Sequence, residues 1–263
     1  MNLKLSGKKA LVTGSSRGLG FATALSLARE GCLVGINSRN IESLSIAASS
    51  ISVETGSQVI PLTGDLTDPD FPAVLVDQFA KASDGIDILV TNTGGPPAGR
   101  FENFDDHAWQ QAIDLNLMSH VRLIRAALPY LRLSPAASVL TITSYSVKQP
   151  IPNLVLSNSI RAATIGLTKT LALELGSEGI RFNSLLPAWT ETERALELLA
   201  NRARLNQTTV EEEVTKQAKE SPFGRLASPE EFANVAVFLV SPVASFVTGV
   251  MLTVDGGMYR GIY

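Results

Sequence analysis

The chain has 263 residues, of which 45% are hydrophobic and 18% charged, and its formal net charge is -3. That length suits one large α/β domain or two small ones, and with no basic excess and no Lys/Arg-rich run, neither nucleic acid nor an anionic membrane surface is expected as a partner. Cys32 is the only cysteine, which excludes an intrachain disulfide and fits a reducing, cytoplasmic compartment.

In chain order, short β-rich runs fall at 9–14, 33–37, 58–64, 86–92, 138–144, 180–187 and 250–257. Helical periodicity fills the intervals, most clearly at 20–31 and 122–131. Strands alternating with helices predict parallel pairing, and runs that are apolar throughout predict strands covered on both faces. The expected fold class is α/β, a single domain over 1–263 with a seven-stranded parallel sheet and helices on both faces. Residues 188–227 break the rhythm with charged helical segments and no strand, and read as a lid inserted over the site. Cys32, a lone thiol before an apolar run, is expected in the core. No secretory h-region and no apolar run of about 18 residues is present, so a soluble protein is expected.

The turn after the first strand, "TGSSRGLG", places Gly14, Gly18 and Gly20 between a strand and a helix, with Ser16, Arg17 and Leu19 among them. Glycines there permit a tight turn, close backbone approach to a pyrophosphate and close helix–strand packing, and the helix N-terminus offers N–H groups to phosphates. The second strand ends in "INSRN". Ser38 and Arg39 stand where an acidic residue would hold a ribose 2′-hydroxyl. A planar guanidinium suits a 2′-phosphate, so NADPH (NADP+) is the expected cofactor.

With "GDLTD" (64–68), "TNTGG" (91–95), "IDLNL" (113–117), "TITS" (141–144), "RFNSLLPA" (181–188) and "VDGG" (254–257) in order, the whole chain resembles the short-chain dehydrogenase/reductase family, nearest in pattern to 3-oxoacyl-carrier-protein reductases. The resemblance implies a Rossmann-like doubly wound fold. It implies adenine contacts from Asp65 and Leu66, sheet-end support from Asn92 and Gly94, and nicotinamide contacts from Thr190 and Thr192. Pro187-Ala188 departs from the family's Pro-Gly.

The family's working tetrad is Asn, Ser, Tyr, Lys. Carried over by position it reads Asn116, Ser144, Ser157, Arg161, with the register set by "RAATIGLTKTLALEL" downstream. In the family a phenol, of ordinary pKa about 10, gives a proton to the substrate oxygen with help from a nearby ammonium. A serine hydroxyl is a poorer acid and shorter. Arg161 can still hold the nicotinamide ribose but does not relay protons at ordinary pH. Nearby, Tyr145 either replaces the missing phenol or simply packs. Lys148 either binds a substrate carboxylate or is a solvated loop residue, and Asn158 is a further substrate-binding candidate. His107 and His120 are expected to face solvent or cap helices, and no His/Cys spacing indicates a metal site.

The altered helix resembles a divergent branch of the family that includes reductases of bacilysin- and aeruginosin-type pathways. That resemblance implies an NADPH-dependent reductase of a small unsaturated carbonyl compound, such as a hydroxyphenylpyruvate-derived cyclohexenyl acid. Alternatives are a 3-oxoacyl thioester or other ketone reductase with a substitute proton donor, and a non-catalytic NADP(H)-binding regulator. The family resemblance also implies a homotetramer, and apolar Leu154, Ile165, Leu167 and Leu171 are expected to meet a partner.

Overall fold

Strand β1 (Lys9–Val12) shows how the core is divided. Ala10 and Val12 point into a cluster with Leu27, Ile36 and Phe232, whereas Leu11 points into a second cluster with Leu75, Phe79 and Leu123. The alternation recurs in β4 (Ile88–Thr91), where Ile88 and Val90 face the first cluster and Leu89 the second. Both faces of each strand are therefore buried, as a parallel sheet between two helical layers requires.

The structure, a computed structural model, describes residues 1–262. The other strands are β2 (Leu33–Ser38), β3 (Val59–Thr63), β5 (Ser138–Ile142), β6 (Arg181–Pro187) and β7 (Met251–Val254), joined in one parallel sheet in the order β3-β2-β1-β4-β5-β6-β7. The α-helices are α1 (Gly18–Arg29), α2 (Ile41–Thr55), α3 (Phe71–Ser83), α4 (Asp106–Ile113), α5 (Ser119–Leu131), α6 (Val155–Leu175), α7 (Glu193–Asn206), α8 (Val210–Ala218) and α9 (Pro229–Val240). Core residues of α1, α2 and α9 cover the first face, and those of α3, α5 and α6 cover the second. Each expected run coincides with one strand; β2 extends one residue past its run, to Ser38, and the others are shorter than theirs, as where the chain turns out of the sheet at Gly14 with φ +55°.

Strand order reverses between β1 and β4, which leave the sheet side by side and then connect in opposite directions. A crevice opens at their C-terminal ends. Between α4 and α5 the chain makes a wide π turn over Asp114–Met118, which continues the helix but shifts its register at Asn116. Residues between β6 and α9 hold α7 and α8 without a strand of the sheet. Their base is pinned by a bridge between Thr190 and Ala227, with Glu191 N donating to Ala227 O at 2.9 Å.

Two expectations change. His120 is not solvent-facing but fully buried on α5, and its ring nitrogens have no partner among the described residues. Burial, and then the Arg161 charge, push its pKa down to about 3, so the imidazole is neutral. Leu154 is buried rather than outward, whereas Ile165, Leu167 and Leu171 are partly buried against the chain's own core. Cys32 is buried as expected, and burial raises its thiol to about 12.

Candidate active site

A cavity of about 460 Å³ lies at the C-terminal ends of the strands. One half is shaped by the glycine turn. A Cβ on Gly20 would stand 2.3 Å from Gly14 O, and one on Gly14 would stand 2.8 Å from Asn92 O, so only glycines allow α1 to start this close to the end of β4. Asn92 Nδ2 donates to Gly14 O at 2.9 Å and Thr13 Oγ1 donates to Asn92 O at 2.8 Å, which ties the two strand ends together. Gly14, Ser16, Arg17, Gly18 and Leu19 line the cavity, whereas Gly20 stands behind them as a packing residue. No side chain caps the start of α1, which leaves its first N–H groups for a ligand.

Around the same half stand Ser38, Arg39, Asp65 and Leu66. Ser16 Oγ donates to Ser38 Oγ at 3.1 Å. Arg39 is 76% exposed and lies 3.7 Å from Asp65 Oδ2, a loose surface pair that leaves its guanidinium available. Asn92, Gly94, Pro187, Thr190 and Thr192 continue the wall. Thr192 also caps α7 by accepting from Ala195 N, and its methyl faces Gly18. Glycine cradle, uncapped helix terminus and exposed, loosely paired guanidinium together fit a phosphorylated dinucleotide.

The other half is built by α6 and the loop leaving β5. Ser144 Oγ accepts from Ser146 N at 3.1 Å, so its own hydrogen remains free to donate into the cavity it lines. Ser157 and Arg161 lie one helical turn apart on α6 and both line the cavity. Arg161 is buried. Nη1 donates to Ile142 O at 3.3 Å and Thr143 O at 3.1 Å, and Nη2 donates to Gly94 O at 3.4 Å. Carbonyl oxygens at the ends of β4 and β5 thus hold it, with no carboxylate among its partners in the described residues. Burial lowers its pKa to about 10, helped by the charge of Arg194, and it stays protonated at neutral pH.

Four other residues singled out from the sequence occupy different places. Asn116 does not line the cavity: Nδ2 donates to Thr93 Oγ1 and to Gly94 O, each at 2.8 Å, and its backbone oxygen accepts from Thr164 Oγ1 at 2.6 Å. It positions the loop after β4 from behind. Asn158 is also outside; its amide accepts from Ile151 N and donates to Ile151 O at 2.9 Å, clamping the preceding loop. Lys148 turns away, its Nζ 5.3 Å from the Tyr259 ring centre. Tyr145 touches the cavity but packs with Trp189, Leu199 and Leu226. Burial raises the pKa of its phenol, partly offset by a hydrogen bond with Trp189.

Residues not anticipated from the sequence also line the wall, among them Pro96, Ile151, Trp189, Glu193, Arg194, Glu197 and Leu198. Arg194 and Leu198 belong to a helix whose charged pattern reads as solvated surface, so only the packing of α7 over the site could reveal them.

A family model described as Enoyl-(Acyl carrier protein) reductase matches residues 14–259. The chain is 32% identical over 258 residues to the 3-oxoacyl-[acyl-carrier-protein] reductase FabG of Chlamydia muridarum, covering 98% of this chain and 100% of that one. Among solved structures, L-sorbose reductase from Gluconobacter frateurii, complexed with NADPH and L-sorbose, superposes with a TM-score of 0.95 at 31% identity and full coverage of both chains. YwfH, an NADPH dependent reductase involved in bacilysin biosynthesis, gives a TM-score of 0.92 at 27% identity, over 97% of this chain and 99% of that one. A strand order broken at β1/β4, a glycine cradle at that break and full-length similarity to these reductases agree: the chain belongs to the short-chain dehydrogenase/reductase family, whose members are NAD(P)H-dependent oxidoreductases.

Proposed function

We propose that the chain is an NADPH-dependent reductase acting on a small unsaturated carbonyl compound, reduced at its β-carbon. The cofactor is held by the first turn of α1, by Arg17 and Arg39 around the 2′-phosphate, and by Asp65 and Leu66 beside adenine. Thr190 and Thr192 lie at the nicotinamide end, and Arg161 lies below it. When bound, the nicotinamide supplies hydride.

One observation carries the choice of acceptor. At the reacting end the cavity wall has the donors Ser144, Ser157 and Arg161, while the phenol that lines it, Tyr145, is packed under α7 with its pKa raised. Reducing a ketone requires a proton on oxygen as hydride reaches carbon, and neither a serine hydroxyl nor a guanidinium is a good acid for that step. An enolate developing on a conjugated enone needs hydrogen bonds to oxygen, which these three groups provide, while carbon is protonated later from water. Asn116 supports the arrangement as a positioning residue through Thr93 and Gly94.

The test is incubation with 4-deuterated NADPH, an enone and the matching saturated ketone, followed by NMR. Deuterium is expected at the β-carbon of the enone. Deuterium only on a carbinol carbon would overturn the reading in favour of a ketone reductase with Tyr145 as donor. Absence of transfer with tight cofactor binding would favour a binding protein.

A further inference from the structure

Near α7 the cavity wall carries charges of both signs, Glu193 and Glu197 beside Arg194. Arg161 and Arg194 both line it. Arg161 is buried among carbonyl oxygens, and its pKa is lowered by burial first and by the nearby Arg194 charge second. Among the described residues Arg194 makes one ion pair, with Glu197 at a long 3.5 Å, and both side chains are exposed. It also lies in the first turn of α7, where a cation opposes the helix dipole, so helix stability does not explain it. What holds it in place is the loop after β4: Nη2 donates to Pro96 O at 2.7 Å, and a Cβ on Gly95 would stand 3.1 Å from Nε and Nη2. The guanidinium lies flat on that glycine at the cavity wall. In the reading above, the anionic parts of the cofactor are assigned to the opposite half, to the first turn of α1 and to Arg17 and Arg39.

Building on the reductase reading above, we propose that Arg194 recognises an anionic group on the substrate, so that the compound reduced here is a carboxylic acid. A guanidinium offers a carboxylate two parallel N–H donors, which fixes orientation as well as affinity. With the carboxylate on Arg194, the carbonyl oxygen faces Ser144, Ser157 and Arg161, and Trp189, Ile151 and Leu198 enclose the carbon skeleton. Glu197 is then a competitor for Arg194. The role expected of Lys148 passes to a residue that lines the cavity.

The test compares binding of 2-oxo-4-phenylbut-3-enoate and the neutral 4-phenylbut-3-en-2-one to the NADP+-loaded protein by calorimetry, a readout independent of turnover. The wild type is expected to prefer the acid by on the order of 10- to 100-fold, the range of a charge-assisted hydrogen-bonded pair. Arg194→Gln is expected to abolish the preference with NADP+ affinity and melting temperature unchanged. Arg194→Lys retains part of it, and Glu197→Gln preserves or increases it. Equal binding of acid and ketone by the wild type, or a preference that survives in Arg194→Gln, overturns the assignment. So does an equal loss of NADP+ affinity, which would make Arg194 a cofactor residue. Deuteride transfer to the neutral enone alone would overturn this proposal and leave the reductase reading intact. Acid binding that depends on Arg194 without any transfer would do the reverse.

Discussion

Arg39 is the residue on which the proposed cofactor preference turns. Its loose pairing with Asp65 at 3.7 Å costs little to break, and a 2′-phosphate beside Ser38 offers a stronger partner. Arg39→Ala is therefore expected to weaken NADPH binding by on the order of 10- to 100-fold, equivalent to about 1.5–3 kcal/mol, and to leave NADH binding unchanged. Calorimetry with both nucleotides checks it, and equal losses for both would show that Arg39 does not read the phosphate. At this scale the sequence was informative where the chemistry is local. Gly14, Gly18 and Arg39 sit within a few residues of a strand end, and the structure brings all three to one cavity. It was uninformative where a side chain has two directions open to it. Asn158 and Ser157 are neighbours on α6, yet one clamps Ile151 and the other lines the cavity. Arg194 reads in the sequence as a solvated helix charge, and only the packing of α7 over Gly95 brings it to the cavity wall.

Among the elements, the strands were the most legible, because burial on both faces forces unbroken apolar runs bounded by turns. The π turn at Asp114–Met118 was not, since nothing in "IDLNL" distinguishes hydrogen bonds spaced five residues apart from the four-residue spacing of the ordinary helix. The helical pair α7–α8 was legible as a break in rhythm, but its internal fastening was not. That fastening is Glu213, which is buried and accepts from Thr208 Oγ1 at 2.7 Å, Lys216 Nζ at 3.0 Å and Asn206 Nδ2 at 3.2 Å. These bonds join the end of α7 to the first turn of α8. They lower the Glu213 pKa from 4.5 to about 2, with Thr208 the largest cause. Because the folded pKa is the lower one, the stabilisation is present in full above about pH 4.5 and is lost as pH falls through that value toward 2. Glu213→Gln is expected to lower the melting temperature by several degrees at neutral pH, with the gap to wild type narrowing between about pH 5 and about pH 2. A gap of constant size across that range would mean that Glu213 acts through shape and not through charge.

For the molecule as a whole, the question is what covers its outward apolar groups. Of the residues expected to meet a partner, Leu154 is buried and Ile165, Leu167 and Leu171 are partly buried, and the outward side of α6 presents Ala162, Ala163, Gly166, Thr170 and Leu173. Leu173 is 76% exposed; in the loop before β7, Phe246 is fully exposed, and Leu252 on β7 is 39% exposed. Lys169 Nζ donates to Gly249 O at 3.2 Å, so α6 and the β7 edge are adjoining parts of one molecule. Small residues along a helix let a second backbone approach closely, and an exposed phenylalanine and leucine beside an open sheet edge supply the apolar area for self-association. A two-fold axis at each of these surfaces uses the same patch on both copies, and two such surfaces generate a closed tetramer. We therefore propose a homotetramer of four 28.0 kDa chains. Light scattering at micromolar concentration is expected to return that mass for the wild type. Leu173→Asp and Phe246→Asp, each placing a charge on an outward group that supports nothing in its own chain, are expected to reduce it to half or less. The circular dichroism spectrum is expected to stay unchanged. A monomeric wild type, or two variants that keep the tetrameric mass, would place the assembly surface elsewhere and leave Phe246 exposed for another reason.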